Sequence, residues 1–350
     1  MIKELIYKLV ERQDLTQKDI IAVISEIANN LTTPAQIGSF LTALRMKGEK
    51  PKEIAYFAKA MRDVCIKLDL KSEDIVDTAG TGGDRIKTFN VSTASALVLA
   101  AAGVKVAKHG NRAVSGKSGS ADVLEEFGMN IYLDPNAALK CLNSTNFCFL
   151  FAPMYHPATK SVAIIRKEIG IRTIFNILGP LTNPANIKRQ VLGVAFPSDI
   201  PRISEALSFL NVKRAIVIHG LDGLDEFSIS SSNLISFINE SGVEITTIDI
   251  EKLGYKKYDV SELYCNNSFE SAKIIFDVFS GREKLDSAKS MFIIFNAALG
   301  FLVSERVNTL QEGVELARET IKSGKPLDLI YKVVKESNGN LDKLKNFDEK

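Results

Sequence analysis

Thirteen consecutive residues, Lys108-His-Gly-Asn-Arg-Ala-Val-Ser-Gly-Lys-Ser-Gly-Ser120, hold three basic side chains, one histidine, three serines and three glycines. Cationic groups, hydroxyls and freely turning backbone in one run are the ingredients that grip a multiply charged phosphate. The run is not a Walker A loop, because Gly110 precedes Gly116-Lys117-Ser118 by one residue more than that pattern allows. An ordinary nucleotide triphosphatase is therefore disfavoured. Upstream, Asp77-Thr-Ala-Gly-Thr-Gly-Gly-Asp84 puts three glycines in four positions. Such a turn exposes backbone N–H groups as a nest for an anion. It fails as a dinucleotide fingerprint, since Arg85 stands where the last glycine belongs. Between these runs, Thr88-Phe-Asn-Val-Ser-Thr-Ala-Ser95 brings hydroxyls and an amide to the start of an Ala/Leu-rich helix. Alone, that segment reads first as a helix cap; beside two phosphate-type turns it is also an anion site. The fourth piece is Asp225-Glu226, closing His219-Gly-Leu-Asp-Gly-Leu-Asp-Glu226. Adjacent carboxylates are commonly a solvated pair, but next to phosphate loops they suit Mg²⁺, which joins carboxylate to phosphate oxygens.

These residues need a scaffold that brings four distant turns together. From about Asp74 short β-rich runs alternate with helical stretches: Ile75–Val76, Val104–Ala107, Phe147–Phe151, Val191–Phe196, Ala215–His219 and Val243–Ile248. That alternation predicts an α/β fold with a mainly parallel central sheet flanked by helices, in which ligands lie beyond the carboxyl ends of the strands. The first seventy residues read instead as a bundle of four short helices. Ile2, Leu5, Ile6, Leu9 and Val10 trace a buried stripe. Thr16 with Asp19, Thr33-Pro34 and Pro51 mark the next three helix starts. Such a bundle would serve as a substrate lid or a dimer surface.

Composition narrows the partners. Forty-four basic against forty-two acidic residues leave a formal charge of +2 over 350 residues, too little for a broad field that holds nucleic acid or an anionic membrane. The apolar stretch Met291–Val303 is 13 residues long and contains Asn296, short of the roughly 20 residues a bilayer needs. Met1–Val10 carries Lys3, Glu4 and Lys8, unlike a signal peptide. Cys65, Cys141, Cys148 and Cys265 have no C-x-x-C spacing and read as reduced, inert thiols. The expectation is a soluble, cytoplasmic protein.

The runs Asp77–Asp84, Asn90–Thr93, Lys108–Asp122, Phe151–Lys160, Arg166, Asn176–Ala185 and Asp225-Glu226 together resemble the anthranilate phosphoribosyltransferases, over nearly the whole chain. The resemblance implies transfer of the phosphoribosyl group of 5-phosphoribosyl 1-diphosphate to the amine of anthranilate, a step of tryptophan biosynthesis. It implies Mg²⁺ as cofactor, and a homodimer joined through the helical domain. It implies a small helical domain over residues 1–70, joined by about 166–184, and a large α/β domain over 71–350. Residue by residue, it assigns Gly80, Gly83, Asp84, Thr88, Asn90, Val91, Ser92 and Thr93 to the diphosphate donor. Lys108, the backbone of His109, Gly110, Asn111, Arg112, Ala113, Val114, Ser115 and Gly116, and Ser120 join them. Gly80, Asn111 and Arg166 are implied at anthranilate, with His109, His156 and Pro180 lining its path; Ser92, Asp225 and Glu226 match metal positions. On their own, His109 reads equally as a packed histidine and His156 as a turn histidine. The family's pattern is departed from at Arg85-Ile86-Lys87. Two rivals differ in class: a pyrimidine nucleoside phosphorylase, which lacks the Lys108 loop, and a nucleic-acid-binding relative, which would carry a basic surplus.

Overall fold

The computed structural model describes residues 1–70, 72, 74–83, 86–113 and 118–348, apart from the side chains of Ala158, Lys160, Ser161 and Asp348. The chain opens with four helices, α1 (Ile2–Val10), α2 (Gln17–Ala28), α3 (Pro34–Lys47) and α4 (Pro51–Asp63). Their starts are set locally. Thr16 and Asp19 form a reciprocal capping box, as do Thr33 and Gln36, and prolines occupy the first position of α3 and α4. Ile2, Leu5 and Leu9 of α1 are buried, but Val10 is exposed, so the expected stripe ends one residue early.

The α/β part follows in order: β1 (Ile75–Gly80), α5 (Val91–Ala101), β2 (Lys105–Gly110), α6 (Ser120–Glu126), α7 (Pro135–Thr145), β3 (Phe147–Phe151), α8 (Ala152–Tyr155), α9 (Lys160–Ile169), α10 (Phe175–Leu181), β4 (Arg189–Gly193), α11 (Asp199–Phe209), β5 (Arg214–Gly220), β6 (Asn233–Asn239) and β7 (Gly242–Ile248). Five helices close the chain: α12 (Ser268–Phe279), α13 (Ala288–Val303), α14 (Leu310–Lys322), α15 (Lys325–Glu336) and α16 (Asp342–Asp348). The seven strands lie in the order β3-β2-β1-β4-β5-β6-β7. The first five are parallel, and β6 and β7 extend the edge antiparallel. The sheet order reverses direction at β1, which has β2 on one side and β4 on the other. That switch point opens a crevice beyond the carboxyl ends of β1 and β4.

Alternation along the strands divides the core. Val191, Ile216 and Ile218 face one way, into a cluster with α5 and α12–α16. Leu192, Ala215 and Val217 face the other, into a cluster with α11 and the N-terminal helices. Val162 and Ile165 of α9, Ile174 just before α10, and Ile177, Leu178 and Leu181 of α10 belong to this second cluster. Helix α13 is buried on nearly all sides, as a helix apolar all round must be. No helix among the described residues is long and apolar enough to cross a membrane. The four cysteines are free thiols.

Three expectations change. Asp77–Gly80 and Lys108–Gly110 lie inside β1 and β2 rather than after them. β4 covers Arg189–Gly193 instead of Val191–Phe196, which leaves Phe196 exposed in the following loop. The strand β6 is additional.

Candidate active site

The expected turns converge at the switch point. Lys108, in the second half of β2 and 1% exposed, sends its ammonium across the neighbouring strand. Its Nζ donates to the Thr78 carbonyl of β1 at 2.5 Å and to the Ser92 hydroxyl of α5 at 3.2 Å. Thr78 Oγ1 donates in turn to the Ser92 carbonyl at 2.9 Å. Burial pushes the Lys108 ammonium down to about 8, opposed by the charges of Asp77 and Glu226. A cation held this way has little water to screen it and is ready for an anionic ligand.

Helix α5 begins at the same point. Asn90 caps it, its Oδ1 accepting the Thr93 N–H at 3.0 Å and the Ser92 hydroxyl at 3.3 Å. Its Nδ2 donates to the Ser118 carbonyl at 3.2 Å, which ties the start of α5 to the run before α6. Val91, Ser92 and Thr93 form the first turn, where N–H groups point outward. Thr88 pairs with Tyr264 in an isolated bridge. Gly110 ends β2 where a Cβ would strike the Ser120 hydroxyl and the Phe149 ring, so the close approach of β2 to α6 depends on that glycine.

Asn111, Arg112 and Ala113 follow β2. Arg112 turns away from the crevice: its guanidinium pairs with Glu125, donates to Tyr132 and lies over the Phe151 ring. Its N–H donates to Asn111 Oδ1, and the Ala113 and Gly119 N–H groups both donate to Asp122 Oδ2. The expected donor residues Asp84, Val114, Ser115 and Gly116 lie outside the described residues, as do Arg85 and Lys117.

On the opposite wall, the loop after β5 carries Asp225 and Glu226. Asp225 Oδ2 accepts the Gly82 N–H at 2.8 Å. Burial pushes the Asp225 carboxyl up, opposed by that N–H and by a hydrogen bond with Glu226. The next residue, Phe227, is held from below. Asn296 of α13 takes its N–H at 2.9 Å and donates to its carbonyl at 3.1 Å, while the Phe227 ring stacks on Phe295. Two hydrogen-bonded carboxylates, one of them close enough for its charge to act on Lys108, fit a hard cation shared with a phosphate ligand. Among the described residues no three His, Cys, Asp or Glu side chains form a cage of their own, so the remaining ligands would come from substrate and water.

The helical side contributes a separate wall. His109 and His156 lie with ring centroids 5.1 Å apart, and His109 Nδ1 meets the Gly179 carbonyl at 3.2 Å. Burial drives His109 down to about 3, reinforced by His156, and His156 down to about 4. Both are neutral at physiological pH. Pro180, buried in α10, offers its carbonyl to Gln190 Nε2 at 2.6 Å. Arg166, half-buried on α9, lies over the Phe175 ring. Among the described residues no hydrogen bond links Arg166 to Gly80 or Asn111.

Comparison with known proteins fits this geometry. Residues 3–65 match the helical bundle domain of the glycosyl transferase family, and residues 72–327 match its a/b domain. The chain is 45% identical to anthranilate phosphoribosyltransferase of Petrotoga mobilis, over 97% of both chains. The chain belongs to the anthranilate phosphoribosyltransferase family. It is 42% identical to the Aquifex aeolicus member over 97% of this chain and 99% of that one. The Thermus thermophilus family member superposes with a TM-score of 0.89 at 35% identity, covering 95% of this chain and 99% of that one. The Saccharomyces cerevisiae family member, in complex with PRPP and Mg, gives 0.88 at 28% identity, covering 96% and 98%.

Three residues at the site were given no role of their own from sequence. Asp77 is fully buried, accepting the His109 N–H at 3.3 Å and the Asn183 amide at 2.8 Å. Burial lifts its carboxyl to about 6 against the pull of Lys108. Asn183 also donates to the Ala107 carbonyl at 2.8 Å, pinning the segment after α10 to the sheet. Arg172 lies over Phe196 and donates to the Gly82 carbonyl at 3.4 Å. Asp77 was visible only as the first residue of the glycine-rich run and Asn183 only as a member of the run Asn176–Ala185; Arg172 carried no local signal.

Proposed function

We propose that this protein transfers the phosphoribosyl group of 5-phosphoribosyl 1-diphosphate to the amine of anthranilate, releasing pyrophosphate, in tryptophan biosynthesis. The observation that carries the reading is the buried Lys108 ammonium, which joins β1, β2 and the start of α5 at one point. The diphosphate binds the Gly80–Gly83 turn, the first turn of α5 and Lys108, with Asn90 fixing the helix start. Ser92, Asp225 and Glu226 hold Mg²⁺, which supplies positive charge against the developing pyrophosphate. Arg166 takes the anthranilate carboxylate through a paired guanidinium contact, beside Asn111 and Gly80. Neutral His109 and His156, with Pro180, shape the path to it.

The aromatic amine is uncharged at pH 7 and attacks the ribose C1 with its own lone pair. The C1–O bond to pyrophosphate breaks, and the amine proton leaves afterwards to solvent or to the substrate's own carboxylate. The chain therefore needs donors for the leaving group rather than a general base. Loss of one well-placed donor costs roughly 3 kcal/mol, about a hundredfold in rate. Closing of the helical layer over the crevice excludes water, which would otherwise compete as nucleophile.

The protein works as a cytoplasmic homodimer joined through the helical layer. Large apolar side chains stand exposed on three helices of that layer: Tyr7 and Val10 on α1, Met46 on α3 and Ile164 on α9. Exposed apolar side chains on several helices of one layer supply surface that association would bury. The deciding assay follows loss of anthranilate fluorescence with the donor and Mg²⁺. Donor-dependent loss supports the reading. No loss, with phosphorolysis of a pyrimidine nucleoside instead, refutes it.

A further inference from the structure

The glycine turn already holds an anion, and it is the chain's own. Gly82 and Gly83 have φ of +65° and +83°, the left-handed conformation that gathers N–H groups into a nest. The Asp225 carboxylate enters that nest, taking the Gly82 N–H at 2.8 Å. It passes so near β1 that a Cβ on Gly80 would lie 2.4 Å from the same oxygen. The backbone of Asp225 is equally confined: a Cβ on Gly193 would fall on its carbonyl oxygen. Arg172 grips the turn from the other side through the Gly82 carbonyl, and its guanidinium fills the space that a Cβ on Gly83 would need.

We infer that Asp225 is a built-in stand-in for the diphosphate: carboxylate and diphosphate compete for the Gly82 N–H, and the carboxylate leaves the turn when it is turned toward Mg²⁺. The inference rests on the functional reading above and adds how metal and donor are coupled. One N–H cannot serve two anions well, and two like charges at one turn repel, the more so because the Asp225 carboxylate is itself buried. When the carboxylate is neutralised by a metal, the turn is open to a phosphate oxygen while Arg172 keeps its shape. Metal and diphosphate then strengthen each other's binding through one shared side chain. A carboxylate that only shaped the turn would behave oppositely, because its removal would weaken every ligand.

The test is calorimetry of inorganic pyrophosphate binding to the full-length protein, with chelator and then with Mg²⁺. Native protein is compared with Asp225→Ala and Asp225→Asn, each checked for native fold by circular dichroism. Removing a charge-assisted competitor should tighten metal-free binding by roughly tenfold in Asp225→Ala, and the Mg²⁺ enhancement should vanish. Asp225→Asn keeps the shape without the charge and should tighten binding in the same direction. Metal-free binding equal to or weaker than native in the folded variants overturns the inference, and if the alanine variant does not fold, the asparagine variant alone decides. Native protein that binds pyrophosphate with Mg²⁺, beside variants that do not tighten, sinks this inference and leaves the functional reading standing. Absence of binding to the native protein even with Mg²⁺ overturns both.

Discussion

Acidification tests whether His109 and His156 are neutral wall residues rather than cations for anthranilate. Both are about 5% exposed or close to it (6% and 4%), and burial holds them at about 3 and about 4, below the unfolded value near 6.5. The stability present above pH 6.5 is therefore lost as pH falls toward those folded values. Between pH 7 and pH 5 the unfolded chain takes up protons that the folded chain refuses, which costs about 2 kcal/mol for each histidine. Asp77 acts with the opposite sign. Its folded carboxyl, lifted to about 6, already binds protons over this range, and it returns about 1 kcal/mol. The histidines win, and native protein should lose about 3 kcal/mol of unfolding free energy. Urea titrations followed by circular dichroism at the two pH values measure this. In His109→Gln/His156→Gln the raised carboxyls of Asp77 and Asp225 remain, and stability should be flat or rise slightly on acidification. A native protein as stable at pH 5 as at pH 7, or a double variant that loses as much as native, would refute the neutral assignment.

Other outcomes follow from the same geometry. Arg166→Ala should raise the KM for anthranilate at least about tenfold, the loss of one charged contact, with a much smaller change for the diphosphate donor; equal changes would remove its role. Lys108→Met should lower kcat/KM for the donor about a hundredfold, and near-native turnover would contradict the converging-turn account. Asn296→Leu strands the buried N–H and carbonyl of Phe227. It should cost about 2–4 kcal/mol of stability and blunt the response of turnover to Mg²⁺, while an unchanged metal titration would show that α13 does not position Asp225 and Glu226.

How far the sequence could be read depended on whether an interaction was local. The Thr16–Asp19 capping pair and the Thr33-Pro34 helix start are local signals, and so were legible before any fold. The strands that are continuous apolar runs, such as Phe147–Phe151, were equally plain. The strand β6 (Asn-Leu-Ile-Ser-Phe-Ile-Asn) was overlooked because its polar ends and mixed alternation resemble a loop until β5 and β7 pair with it. The phosphate-type turns announced themselves through composition, since glycine and hydroxyl density is itself the chemistry. What stayed hidden were long-range partners of buried polar groups. Asn296 counted only as an interruption in an apolar helix, yet it holds the loop beside the proposed metal site. Asn183 reaches Asp77 across 106 residues, and Arg172 reaches Gly82 across 90. No periodicity records such contacts, because each is fixed by the strand order. Arg112 marks a limit of composition: a basic loop does not say where each side chain goes, and Glu125 and Tyr132 take this one.

The most direct measurement is a crystal structure of this protein with 5-phosphoribosyl 1-diphosphate and Mg²⁺. The account predicts the diphosphate within hydrogen-bonding distance of the Gly82–Gly83 backbone, the first turn of α5 and Lys108 Nζ, with Asp225 withdrawn from the Gly82 N–H. A donor bound away from that crevice, with Lys108 still directed only at Thr78 and Ser92, would contradict it.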